Sequence, residues 1–286
     1  MDQEYRPSRF QILPPIVKNL LIINGIMYLL TVVLAQKFDY DLADVLGLHY
    51  PLADKFRPYQ LITYLFMHGS LTHLIFNMFA LWMFGNALEN LWGPKRFVIY
   101  YLITGIGAVV IHYTIVYFQY QPTVDLINNY INHPSLQVFQ DFIHSNHIKA
   151  ASQDIVDHYN SVIPKSYSQA LANNNMQEAL NISVEFMRTY KIDFLNAPVV
   201  IGASGSVFGI LIGFGMTFPN TELIIIPIPF PIKAKFAVIG YGAVELFLGI
   251  ANFSWDNVAH FAHLGGALFG FIIIKYWNKN NRQQFY

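Results

Sequence analysis

Four stretches place polar, reactive side chains inside otherwise apolar sequence. Gly202-Ala203-Ser204-Gly205 opens one apolar run, and His260-Phe261-Ala262-His263 opens another, continuing as Leu264-Gly265-Gly266. His68-Gly69-Ser70-Leu71-Thr72-His73 begins a third and leads to Asn77, while Glu245 lies within a fourth. Polar groups in a membrane span are costly and therefore mark function. A serine hydroxyl beside an imidazole is a nucleophile with its general base, the pairing that acyl transfer uses. Such a site also needs donors for a developing oxyanion. His73 and Asn77 are an i, i+4 pair on one helix face, and each can donate. The Ser204 amide, at a helix start, is a third donor, aided by the positive end of the helix dipole.

A serine beside glycines at the start of a span is, taken alone, more often a packing residue. What distinguishes Ser204 is a histidine at matching depth. His263 lies seven residues after Asp256, which marks the water boundary; at 1.5 Å per residue that is about 10 Å below the surface. Ser204 lies six residues after Pro198, a similar depth if the stretch between folds into the site. Gly205, Gly209 and Gly213 recur every four residues, as do Gly266 and Gly270, and such small-residue faces let helix backbones approach closely in lipid. His263, three residues before Gly266, projects from about the same face.

His260 competes as the base, but it is turned by about 300° along the helix and lacks a glycine one turn on. No acid adjoins His263 in the sequence. Asp256 is about two turns above it, and Glu245 belongs to another helix, where it reads as neutral or paired within the bundle rather than catalytic. The expectation is a Ser204–His263 dyad, with packing or a second hydrogen bond orienting the imidazole. His68 reads as a structural hydrogen-bond partner near the membrane edge. His73 and Asn77 have a rival reading as ties between helices.

The elements that must position these residues are membrane helices. The chain of 286 residues is 54% hydrophobic, 16% aromatic and only 12% charged, against about 25% charged in soluble domains. With 17 basic and 17 acidic residues the net charge is zero, which argues against a nucleic-acid partner. The absence of cysteine excludes disulfides, thiolate metal sites and a cysteine nucleophile. Six segments approach the roughly 20 apolar residues that a crossing needs: about 17–35, 72–91, 96–118, 204–218, 234–250 and 257–277, the fourth and fifth being short. The first is too long for a signal-peptide core and reads as a retained span.

Lys18, Lys95, Arg96, Lys233, Lys235 and Lys275 fall on one side in short loops, together with Arg6, Arg9, Lys279 and Arg282 in the tails. This bias predicts a multi-pass protein of a plasma or inner membrane with both termini cytoplasmic. Residues 119–196 break the pattern. Leu126, Ile127, Tyr130 and Ile131 have helical spacing, as do Val138, Phe139, Phe142 and Ile143, then Ile155, Val156 and Tyr159, then Met176, Leu180, Val184 and Met187. Pro134 and Pro164 punctuate them. A helical extramembrane insert on the outer side is expected there, between the third and fourth spans.

These motifs resemble those of the rhomboid family of intramembrane serine proteases. Gly202-Ala203-Ser204-Gly205 is similar to its GxSG nucleophile motif. Ala262-His263-Leu264-Gly265-Gly266, with Gly270, resembles its AHxxGxxxG motif, and His68 to Asn77 resembles the signature of its second span. Gly85-Asn86-Ala87-Leu88-Glu89, then Gly93 and Arg96-Phe97, is similar to the end of that span. The resemblance covers about Tyr59 to Gly270 without the insert.

It implies an all-α polytopic membrane protein, a six-helix rhomboid-like bundle. The core would be residues 1–118 (spans one to three) and 197–286 (spans four to six), interrupted by the insert at 119–196. It implies Ser204 as nucleophile, His263 as base, and His73, Asn77 and the Ser204 amide at the oxyanion. Gly202, Gly205, Gly266 and Gly270 support the motifs. The expected partners are the lipid bilayer and transmembrane protein substrates, with no metal and no cofactor. The oligomeric state stays open. The Trp-Arg pair frequent in the first outer loop of the family is here Tyr59-Gln60, and the insert is longer than the usual connection. Emerging beside the site's mouth, the insert would filter or cap substrate access. The alternative within the family is a catalytically inactive relative that binds transmembrane clients. A metal or proton carrier built on the ten histidines fits less well, because the intramembrane histidines cluster in the outer third.

Overall fold

The computed structural model describes residues 11–144, 153–224, 229–251 and 259–283. In chain order the principal helices are α1 (Pro15–Phe38), α2 (Leu71–Trp92), α3 (Pro94–Asn132), α4 (Leu136–His144), α5 (Gln153–Ser161), α6 (Met176–Asn196), α7 (Ser204–Thr217), α8 (Ala234–Ala251) and α9 (His260–Gln283). A helix lies on each of the six apolar segments. Four of them, α1, α2, α3 and α8, are long and apolar enough to cross a membrane, and α7 is a shorter apolar helix. α8 is therefore not short as expected. Arg6, Arg9 and Asp256, which the sequence argument used, lie outside the described residues.

The chain divides into two compact units. The first comprises Met1–Leu48, Pro58–Thr114 and Val200–Tyr286, and it holds every residue singled out for chemistry. α1 starts with Pro15 at its first position, where a missing amide hydrogen costs nothing. The next two amides, of Ile16 and Val17, each donate at 2.8 Å to one carboxylate oxygen of Glu89 on α2. α2 begins where the Ser70 hydroxyl accepts from the His73 amide at 3.1 Å, an N-cap. A π-turn at Leu81–Gly85 interrupts it, and Gly93, at φ 79°, ends it.

The centre of this unit is where α3, α7 and α9 meet. A methyl group added at Gly266 on α9 would run into the backbone of Gly205 on α7. One turn on, a methyl at Gly270 would stand 3.1 Å from the Cα of Gly209. The glycine faces read from the sequence do pack together. α7 is closed from the other side by α3: bare Gly205 faces Ala108, and bare Gly209 faces Thr104. Several polar groups here find protein partners, as suits a lipid-immersed bundle. Tyr100 Oη donates to the Gly209 carbonyl at 2.6 Å, Ser206 Oγ to the Tyr101 carbonyl at 2.8 Å, and Tyr64 Oη to the Gly105 carbonyl at 2.8 Å. α8 stands apart from this pattern. Among its described residues only Ala234 and Glu245 are buried.

The second unit comprises His49–Arg57 and Ile115–Val199. The third span was expected to stop near Phe118, yet α3 continues through Pro122 to Asn132. A proline inside a helix forfeits one hydrogen bond. Ile127 and Tyr130 are buried in this unit's core, and that burial outweighs the loss. α4, α5 and α6 carry the other amphipathic runs. On α6 the buried face passes through Ala179, Ser183, Phe186, Met187, Tyr190 and Phe194, while Met176, assigned to that face by spacing, is exposed. Ser183 Oγ donates to the Leu180 carbonyl, so it is the Tyr130 hydroxyl that donates to Ser183.

Candidate active site

Ser204 is the first residue of α7. Gly202, two residues earlier, has φ 119°, a backbone conformation that only glycine adopts readily. Its amide donates to the Tyr64 carbonyl at 2.9 Å, which ties the turn to the segment before α2. A Cβ at Gly202 would stand 2.8 Å from His73 Cε1, 2.9 Å from His73 Nε2 and 3.8 Å from the Ser204 nitrogen. The His73 ring and the Ser204 amide thus border one small space that exists because position 202 has no side chain. The two motif glycines have separate roles. Gly202 shapes the turn before the serine, and Gly205 permits close packing, since a Cβ there would meet Ala108 at 2.5 Å.

His73 sits in the first turn of α2 below its Ser70 cap. Asn77 is buried one turn on, and its Nδ2 donates to the His73 carbonyl at 3.0 Å. An amide NH2 carries two hydrogens, so this bond is compatible with a second donation into the site. His68 is buried and meets His73 edge-on, with centroids 5.0 Å apart. Burial, with His73 beside it, pushes the His68 imidazole down to about 4, which leaves it neutral at physiological pH.

His263 is buried on α9, and its ring lies flat on Phe208 of α7, centroids 4.3 Å apart and planes 9° from parallel. Ser204 and Phe208 are i, i+4 neighbours on one face. The imidazole therefore covers the face of α7 that carries the serine.

The edge of that imidazole corrects the sequence reading. Glu245 Oε2 on α8 lies 2.9 Å from His263 Nδ1 and 2.6 Å from His260 Nδ1. An acid does adjoin His263. It was missed because eighteen residues of separation say nothing about distance once α8 and α9 pack side by side. His260 was set aside as pointing elsewhere, but a turn of 300° leaves two directions only about 60° apart. Both imidazoles face the same carboxylate. One carboxylate oxygen and one nitrogen from each ring lie within 4.8 Å of one another.

Sequence reasoning also passed over His112 on α3. It lies one turn beyond Ala108, whose carbonyl meets bare Gly265. The available signal was a lone histidine within an apolar span.

The Rhomboid domain family matches residues 55–124 and 161–279, well over half of the chain. The chain belongs to the rhomboid family. Rhomboid-like protein 15 of Arabidopsis thaliana is 27% identical over 100 residues, 35% of this chain and 24% of that protein. Rhomboid protease GluP of Bacillus subtilis (strain 168) is 42% identical over 52 residues, 18% of this chain and 10% of that protein. The chain thus spans a quarter or less of the length of each of these relatives. As a rhomboid with several long apolar helices, it is an integral, multi-pass membrane protein.

Proposed function

We propose that this rhomboid is an intramembrane serine endopeptidase that cleaves transmembrane segments of other membrane proteins. The observation that carries the reading is the stacking of His263 on Phe208, one helical turn from Ser204. Ser204 attacks a peptide carbonyl while His263 takes the hydroxyl proton. The developing oxyanion is met by the Ser204 amide and His73, which border the same space beside Gly202, with Asn77 next to them. Collapse releases the amine product, which takes the proton from His263, and leaves an acyl-enzyme. Water then attacks the ester with the same histidine as base. A helical carbonyl is hydrogen-bonded, so the substrate must unwind locally at the cut.

The test is labelling with a serine-reactive fluorophosphonate. The parent protein is expected to label and to cleave a test transmembrane peptide, and Ser204→Ala and His263→Ala to do neither. Labelling that survives Ser204→Ala overturns the assignment. A folded parent that neither labels nor cuts supports the inactive client-binding alternative instead.

A further inference from the structure

Glu245 is unusual in its own helix. α8 buries Ala234 and Glu245 among its described residues, so the one acidic side chain it carries is turned inward, 4% exposed. A buried carboxylate without partners costs several kcal/mol or more. Here one oxygen, Oε2, faces two imidazole Nδ1 atoms.

The distances separate hydrogen bonding from metal coordination. Two ligands held about 2.0–2.2 Å from one tetrahedral ion stand roughly 3.3 Å apart. The Glu245–His260 pair at 2.6 Å is closer than that and has the length of a charge-assisted hydrogen bond. The Glu245–His263 pair at 2.9 Å has an ordinary hydrogen-bond length. If the carboxylate is ionised it only accepts, and both Nδ1 atoms then carry their hydrogens. A neutral His263 that is protonated at Nδ1 is bare at Nε2, and Nε2 is then the atom able to take a proton.

We propose that Glu245 is a positioning residue that fixes His263 as its Nδ1–H tautomer, and that His260 anchors the same carboxylate oxygen from a second direction. The inference rests on the serine-protease reading above. In the acylation step the Ser204 proton passes to His263 Nε2 as the serine oxygen bonds to the substrate carbon. The resulting imidazolium keeps its Nδ1–H on Glu245, whose negative charge balances it. The Nε2 proton leaves with the amine when the C–N bond breaks, so the carboxylate never becomes protonated. The site is then a three-residue chain rather than a dyad, with its acid supplied by α8.

The experiment uses the full chain in proteoliposomes. Ser204→Ala and His263→Ala come first, because their failure to abolish labelling would remove the protease reading itself. With those two inactive, Glu245→Gln is expected to lower kcat for a transmembrane peptide by about 100-fold or more with KM little changed, and Glu245→Asp to restore part of the loss. His260→Asn should produce a smaller fall in kcat of the same kind. Nitrogen-15 histidine NMR supplies a readout independent of activity. In parent and in Ser204→Ala, His263, assigned through its loss in His263→Gln, should be protonated at Nδ1 with a downfield N–H resonance that Glu245→Gln removes. Parent-like kcat in Glu245→Gln, or an Nε2–H tautomer for His263 in the parent, overturns the proposal. So does a stoichiometric metal ion whose chelation abolishes cleavage and whose return restores it.

Discussion

Gly266 on α9 meets the backbone of Gly205 on α7 with no room for even a methyl group between them. The serine and the histidine are each within three residues of this contact, so the separation of their helices is set by main chain against main chain. Gly266→Ala is expected to lower stability by about 1–3 kcal/mol or more, as overpacking does, and to abolish labelling by a serine-reactive probe. Thermal unfolding in detergent and probe labelling measure the two effects. A variant that unfolds and labels like the parent would show that the helices can part without consequence.

Gly202 makes a different demand. With φ at 119° and His73 where a side chain would project, Gly202→Ala combines backbone strain of about 1–3 kcal/mol with displacement of the His73 ring. Cleavage should fall at least about 10-fold, more than the same protein's fractional loss of folded material. Tryptophan-monitored unfolding beside a peptide-cleavage rate separates the two contributions.

His73 and the Ser204 amide share the space beside Gly202. Removing one oxyanion donor typically costs about 100-fold or more in kcat. His73→Ala should show such a loss with little change in KM. A reading of His73 as a tie between helices predicts instead a lowered unfolding midpoint with near-normal turnover in the folded fraction.

Glu89 caps α1, taking the amides of Ile16 and Val17 on its two oxygens. Hydrogen bonds to charged groups contribute about 1.5–3 kcal/mol each. Glu89→Ala should destabilise the protein by about 2–4 kcal/mol, while the rate per folded molecule stays near that of the parent. An equal loss of rate in folded protein would link α1 to the chemistry.

The parts legible in the sequence were those governed by local spacing. Glycines at four-residue intervals and apolar runs of crossing length are properties of one helix at a time, and the structure places them as the spacing required. Tertiary contacts were less visible. Glu245 reaches His263 across eighteen residues through the pairing of α8 and α9, and no periodicity encodes which residues of two neighbouring helices stand opposite. Glu89 was noticed only as part of a motif, because its partners are 72 and 73 residues away. The end of α3 was misplaced for a related reason: burial of Ile127 and Tyr130 extends a helix that a proline and a fall in hydropathy would locally have ended.

The sparse burial of α8 has a consequence for how this rhomboid would respond to its surroundings. Phe236, Ile239, Val244, Phe247 and Ile250 all point away from the protein, so acyl chains, rather than neighbouring helices, supply most of what that helix packs against. In that sense hydrocarbon completes the tertiary structure. Membrane thickness and lateral pressure act on α8 first, and through it on one carboxylate oxygen and two imidazoles. Two cells with different lipids would therefore hold the same polypeptide at different chemical settings.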